Sequence, residues 1–264
     1  MFKQIAICCI LVSWSLTPTR AQAPVDRAWA MLQEGAAALK DDSRLHAMEA
    51  LGLVSKSERA RTLAESRLTD SESEVRAAAA RALGQIGLKD AVPALKGTLS
   101  DQEAEVVFSA TNALLRLGDP AAYAVYYAVL TGERKTGERL LESQLKLLKD
   151  PEALAKITLE TGVGFIPFGG IGYKAVRGFT QDNVSPVRAA AAQHLADDPD
   201  PQSGRALMTA AGDDKWLVRA AAISAIAKRN DRSLLAAAAS HMDDENETVR
   251  FEAAAAVAHL AGGR

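Results

Sequence analysis

The stretch Asp70–Gly87, "DSESEVRAAAARALGQIG", carries the pattern from which the rest of the chain can be read. It returns as "DQEAEVVFSATNALLRLG" from Asp101, "DNVSPVRAAAAQHLADDP" from Asp182, "DDKWLVRAAAISAIAKRN" from Asp213 and "DENETVRFEAAAAVAHLA" from Asp244. Asp70 and Asp101 are 31 residues apart, as are Asp182 and Asp213, and Asp213 and Asp244. A fixed period of this length marks one supersecondary unit repeated along the chain. Inside the first copy Val75, Ala79, Ala82, Leu83 and Ile86 recur at helical spacing and give one apolar stripe. Ser71 or Ser73 is placed to cap that helix and Gly87 to end it. Asp90 then opens a second helix, with Pro93 in its first turn and Val92, Leu95 and Leu99 as its stripe. The stop and start recur at Gly118–Ala121.

A single helix pair cannot bury its apolar face, but stacked pairs can. The expected fold is therefore all-α, an α-solenoid: a superhelix of antiparallel helix pairs. The Asp-x4-Val-Arg-x2-Ala-Ala-x2-Leu-Gly pattern of Asp70–Gly84 and its later copies resembles the HEAT-repeat superfamily, in particular the short HEAT-like repeats named after the phycobilisome lyases. The resemblance covers most of residues 40–264. It implies that Asp and Arg form a ladder between adjacent repeats, with the members Asp70, Arg76, Asp182, Arg188, Asp213, Arg219, Asp244 and Arg250. Val107 replaces the arginine in the second copy, so the ladder should break there. The resemblance also implies that second helices line the concave face.

The register slips between Val106 and Val187. Their separation of 81 residues is two periods of 31 plus 19. Gly137–Leu148 and Pro151–Leu159 read as a degenerate helix pair. Residues 162–181 read as a glycine-rich irregular insert: a loop from Gly162 to Pro167, then an amphipathic helix with Phe168, Ile171, Ala175 and Phe179 on one face. Gly164-x4-Gly169 lacks the Lys-Ser/Thr of a phosphate loop, and no βαβ pattern surrounds the glycines. Phe165 to Phe168 offers an alternative role, docking at a membrane surface.

The N-terminus reads as a secretory signal over residues 1–23. Lys3 is its positive region, Ile5–Leu16 its apolar core, and Ala21-Gln22-Ala23 or Thr19-Arg20-Ala21 its cleavage site. Export to the periplasm or cell exterior is the expected address. Both cysteines, Cys8 and Cys9, lie within that signal, so a mature chain would have no thiol. Removing Lys3 and Arg20 would shift the net charge from −2 to −4, which argues against a nucleic-acid partner. The organisation expected is residues 24–68 as a helical N-terminal cap or degenerate repeat, repeats over 69–161, the insert over 162–181, and repeats over 182–264.

No catalytic constellation emerges. The four histidines form no His-Glu-x-x-His. HEAT-fold enzymes of the deoxyhypusine hydroxylase type carry paired His-Glu dipeptides for two irons. This chain has no such dipeptide, which disfavours a lyase or hydroxylase activity; no metal or other cofactor is expected. The acidic runs Asp197–Asp200 and Asp243–Glu245 contain no complete calcium loop. The remaining signal is "PAAYAVYYAVLTGERK": Tyr123, Tyr126 and Tyr127 recur at i, i+3 and i+4 beside Arg134. Tyrosine and arginine are favoured at binding hot spots, so these four residues are the candidate partner-binding group. Packing of the tyrosines against the insert is the competing reading. The function expected is that of a non-enzymatic scaffold for a protein partner.

Overall fold

The computed structural model describes residues 22–130 and 185–262. Residues 1–21 of the expected signal, Arg134, Asp182, the expected pair at 137–159 and the expected glycine-rich insert lie outside the described residues, while Gln22 and Ala23 belong to α1. The elements are α1 (Gln22–Ala36), α2 (Asp41–Leu51), α3 (Glu58–Glu65), α4 (Ser73–Ile86), α5 (Val92–Thr98), α6 (Ala104–Arg116), α7 (Ala121–Leu130), α8 (Ser185–His194), α9 (Pro201–Ala211), α10 (Trp216–Arg229), α11 (Leu235–Ala239) and α12 (Glu247–Gly262). Short 3-10 turns, Lys89–Ala91 and Arg232–Leu234, lead into α5 and α11. The described residues contain no strand, and none of their helices is long and apolar enough to cross a membrane.

The first helices α4, α8, α10 and α12 are rich in alanine, the residue of highest helix propensity. The small side chains let neighbouring first helices approach closely. Gly84 of α4 faces Ala113 of α6, where an added Cβ would lie 2.8 Å from the Ala113 Cα. Larger residues fill the space toward the second helices: Leu83, Ile86, Leu95, Leu114, Leu207, Ile223 and Ile226 are fully buried. Burying one such side chain contributes about 1.5–3 kcal/mol.

The first helices end alike. Gly87, Gly118 and Asn230 occupy equivalent repeat positions, and all have positive φ, at 76°, 75° and 54°. Glycine and asparagine tolerate that left-handed geometry best. Their starts differ from the expectation. The N-cap of α4 is Glu72, and neither Ser71 nor Ser73 caps it. Asp70 does that work from two residues upstream: its Oδ1 accepts the Glu72 N–H at 3.1 Å. The same turn recurs at Asp101–Glu103, Asp213–Lys215 and Asp244–Asn246.

Stacking order departs from chain order. The first helices form one row: α8, α10, α12, α2, α4, α6. The C-terminal helix α12 thus packs against α2, and the chain's two described parts meet in mid-stack. Helix α1 packs on both α12 and α2, in the place beside α12 that a second helix occupies in other repeats. Residues 24–68, expected as a cap, are therefore covered on both sides, by α12 and by α4. Ala28, Leu32 and Ala36 of α1 are fully buried, and Arg59 lies over the Trp29 ring at 4.5 Å from its centroid.

Candidate functional site

The Asp–Arg ladder fixes the frame on which any site is built. Arg76 donates from Nε and Nη2 to the two carboxylate oxygens of Asp101 at 2.8 and 3.0 Å. Its Nη1 donates to the carbonyls of Asp70 and Ser71 in its own repeat. Arg219 repeats this geometry on Asp244, Asp213 and Asp214, and Arg188 pairs with Asp213. The carboxylate thus comes from the next repeat, while the pairs six apart, such as Asp70 and Arg76, meet through the aspartate's backbone carbonyl. Bidentate pairing of this kind fixes orientation as well as distance. Val107 takes the arginine position of α6 and is buried.

One rung was not anticipated. Arg44 of α2 makes the same bidentate contact to Asp70, with both distances 2.9 Å, and donates to the carbonyls of Ala38 and Leu39. The signal was present: "RLHAMEALG" at 44–52 matches "RAAAARALG" at 76–84 in its Arg, Ala, Leu and Gly positions. Ala38 stands where the repeat has Asp, and Ser43 where it has Val. Loss of that Asp leaves Arg250, the rung facing the seam, bonded to the carbonyls of Asp244 and Glu245 in its own repeat. Other contacts join α12 to the N-terminal helices. Ser43 Oγ donates to Glu247 at 2.9 Å, His46 Nδ1 lies 3.5 Å from Glu247, and Arg27 pairs with Asp243.

The ladder carboxylates are acidified. For Asp70, Asp101 and Asp244, burial pushes the pKa upward, but the facing arginine and the N-cap N–H outweigh it, and each falls below the ordinary aspartate value.

Two surfaces remain as candidates for contact with other molecules. The first is the tyrosine group on α7. Tyr123 is 56% exposed and Tyr127 68%. Tyr126 turns inward: its ring meets Phe108 edge-on, and its hydroxyl donates to Asn112 Oδ1 at 2.6 Å. Burial raises the Tyr126 pKa. The structure therefore divides the group into two outward rings and one anchoring ring.

The second is a cleft of about 410 Å³ on the first-helix side. Glu49, Arg81, Gln85 and Arg116 line it from α2, α4 and α6; Lys228, Glu252 and His259 line it from α10 and α12. Helices as far apart in the row as α6 and α10 share it, so the row curves around this side. The concave surface here is made by first helices, not by the second helices expected, and the tyrosines do not line it. The seam runs through its floor. Arg81 lies between Glu49 and Glu105, at 3.9 and 3.5 Å. Desolvation raises the pKa of Glu105 and lowers those of Lys228 and His259. Lys228 Nζ donates to Gln193 Oε1 at 2.7 Å. Among the described residues no group of three or more His, Cys, Asp or Glu side chains is arranged to hold a metal.

Comparison with known proteins follows the same lines. The chain matches the family profile of HEAT repeats over residues 30–115, 60–136 and 177–258. No curated protein matches it in sequence. Among solved structures, human deoxyhypusine hydroxylase in complex with glycerol is 18% identical, covering 92% of this chain and 98% of that one, with a TM-score of 0.35. The complex of CpcE and CpcF of phycocyanin lyase from Nostoc sp. PCC7120 is 18% identical over 96% of this chain and 100% of that one, with a TM-score of 0.33. An engineered protein is 16% identical over 89% and 96%, with a TM-score of 0.29. The profile covers well over half of the sequence, and the chain belongs to the HEAT-repeat family.

Proposed function

We propose that this chain is an exported, non-enzymatic HEAT-repeat scaffold that binds a protein partner in the periplasm or outside the cell. The observation that carries the reading is the pair of outward rings, Tyr123 and Tyr127, held on a helix whose third tyrosine is anchored to Phe108 and Asn112. Large aromatic rings on a rigid element bind at low entropic cost. The absence from the sequence of His-Glu dipeptides and of a paired nucleophile and base supports a non-catalytic role. Residues 1–23 support export. The period of 31 residues and the Asp-x4-Val-Arg pattern support placing the repeats with the short phycobilisome-lyase type.

The test is affinity capture from native envelope extract, with the chain lacking residues 1–23 as bait. A partner enriched by this bait and lost with Tyr123→Ala/Tyr127→Ala, at unchanged melting temperature, is the expected result. An empty capture overturns the reading. Flotation of the same bait with liposomes would instead favour membrane docking through Phe165 to Phe168.

A further inference from the structure

The seam between α12 and α2 is built differently from the other junctions of the row. Between α8 and α10, α10 and α12, α2 and α4, and α4 and α6, an arginine of one first helix holds the aspartate that precedes the next. At the seam that rung is missing, because Ala38 takes the aspartate position. Arg250 is nevertheless set for it. Its Nη1 donates to the carbonyls of Asp244 and Glu245, as Arg219 Nη1 does to those of Asp213 and Asp214. Among the described residues, the carboxylate within 4.0 Å of Arg250 is that of Glu247, on its own helix. The other junctions are also bridged by the chain itself: α9, α11, α3 or α5 runs from one first helix to the next, whereas no described helix runs from α12 on to α2. The direct packing of α12 on α2 is the least extensive between neighbouring first helices. What crosses the seam instead is α1, which packs on both α12 and α2, together with the exposed pair Arg27 and Asp243. An exposed pair of this kind adds little.

We infer that the seam is a hinge built into the row, strapped by α1, and that its opening sets the width of the concave cleft. Each arm of the row, α2–α4–α6 and α8–α10–α12, is held rigid by its own rungs, since bidentate pairs fix orientation as well as distance. Motion between two such bodies concentrates at the junction that lacks both a rung and a chain connection. Glu49, Arg81 and Arg116 line the cleft from one arm, Lys228 and Glu252 from the other. Rotation at the seam therefore moves these walls apart without disturbing either arm. The closed form is the major one, because Phe251 is buried where it meets Gly35 across the seam. The inference goes beyond the partner-binding reading and holds whether or not the tyrosines bind a partner.

The missing rung supplies the test. The Ala38 carbonyl accepts from Arg44 Nη1 at 3.0 Å, as the Asp70 carbonyl accepts from Arg76 Nη1 at 2.9 Å. The two backbones are equivalently placed, so Ala38→Asp should put a carboxylate before Arg250. Spin labels on Arg116→Cys/Lys228→Cys, in the chain lacking residues 1–23 and hence any other thiol, report the distance across the cleft by electron paramagnetic resonance. The expected result is a major short distance and a minor longer one, while a pair within one arm, Arg205→Cys/Lys228→Cys, gives a single distance. Ala38→Asp should lower the ratio of long to short about tenfold. Adding Arg250→Gln should restore it, and Ala38→Asn should leave it nearly unchanged. Circular dichroism checks that each variant is folded, and Gln85→Cys/Lys228→Cys gives a second reading should the first pair disturb the fold. A single distance across the cleft overturns the hinge. So does a longer component that persists in folded Ala38→Asp, or one suppressed equally by Ala38→Asn. None of these outcomes turns on capture or on Tyr123 and Tyr127.

Discussion

Gly35 of α1 lies directly against the ring of Phe251 of α12. A methyl group at Gly35 would overlap Cε1 and Cζ of that ring and would stand 3.0 Å from the Ala47 Cβ. The two residues are 216 positions apart, and their contact joins the first and last of the described helices. Glycine in a helix costs about 1 kcal/mol relative to alanine, so Gly35→Ala would stabilise an isolated α1. In the folded chain overpacking should win, and the variant should lose about 1–3 kcal/mol. The decisive measurement is the pair with Phe251→Leu. Relief of the overlap should make Gly35→Ala neutral or stabilising in that background, as read from urea midpoints. If Gly35→Ala is equally harmful in both backgrounds, the ring is not the cause.

The ladder should be graded by burial. Arg219 and Asp244 have side chains only 8% and 7% exposed, whereas Arg188 is 50% exposed. Arg219→Ala leaves a carboxylate desolvated and two carbonyls without their donor. It should cost about 3 kcal/mol or more. Arg188→Ala should cost under about 1 kcal/mol. Equal losses in thermal or urea unfolding would show that rung burial does not set the energetics.

The repeats were legible in sequence because their signals are local. Asp, Val, Arg and the alanines recur at fixed offsets, and the helix-ending glycines Gly87 and Gly118 sit where the stripe ends. The helix starts were less legible. Asp70 serves two helices at once, as acceptor for the Glu72 N–H and for Arg44, so a nearby serine was an unnecessary cap. The seam was not legible at all. It joins residues about 200 positions apart, and the copy at 38–52 has lost the two residues, Asp and Val, that would have announced it as a repeat. The cleft inherits that obscurity. Arg116 and Lys228 are unremarkable surface residues until the row is known to curve around them.

Acid should unfold the chain in two stages. Burial holds the pKa of His259 below the ordinary histidine value; burial does the same for His241, opposed by Asp244 and aided by Arg219. Each imidazole therefore favours the fold above the unfolded pKa of about 6.5, and that contribution is lost as pH falls through the folded value. Asp70, Asp101 and Asp244 also have depressed folded values, so they favour the fold above about 3.9 and lose that effect at still lower pH. Urea midpoints taken from neutral pH downward should decline first through the histidine range and again in the carboxylate range. His259→Gln should flatten the first decline and leave the second; Asp244→Asn should lower the neutral plateau and flatten the second. A single decline, unaffected by His259→Gln, would remove the imidazoles from the account.

Helix α1 should stabilise the C-terminal repeat as much as its own. It stands beside α12 where other repeats place their second helix, and it buries Leu32 fully and Trp29 to 8% exposure. Each of these large side chains contributes about 1.5–3 kcal/mol, so loss of the helix removes a sizeable share of a domain stability of about 5–15 kcal/mol. A chain beginning at Leu39 should therefore lose hydrogen-exchange protection in α12 and α2 together, while α4 and α6, which pack on each other and on α3 and α5 respectively, keep more of theirs. The paired loss is the informative feature. If α2 alone were exposed and α12 kept wild-type protection, then α1 would be a local companion of its own repeat, and the cleft between Arg116 and Lys228 would not depend on it.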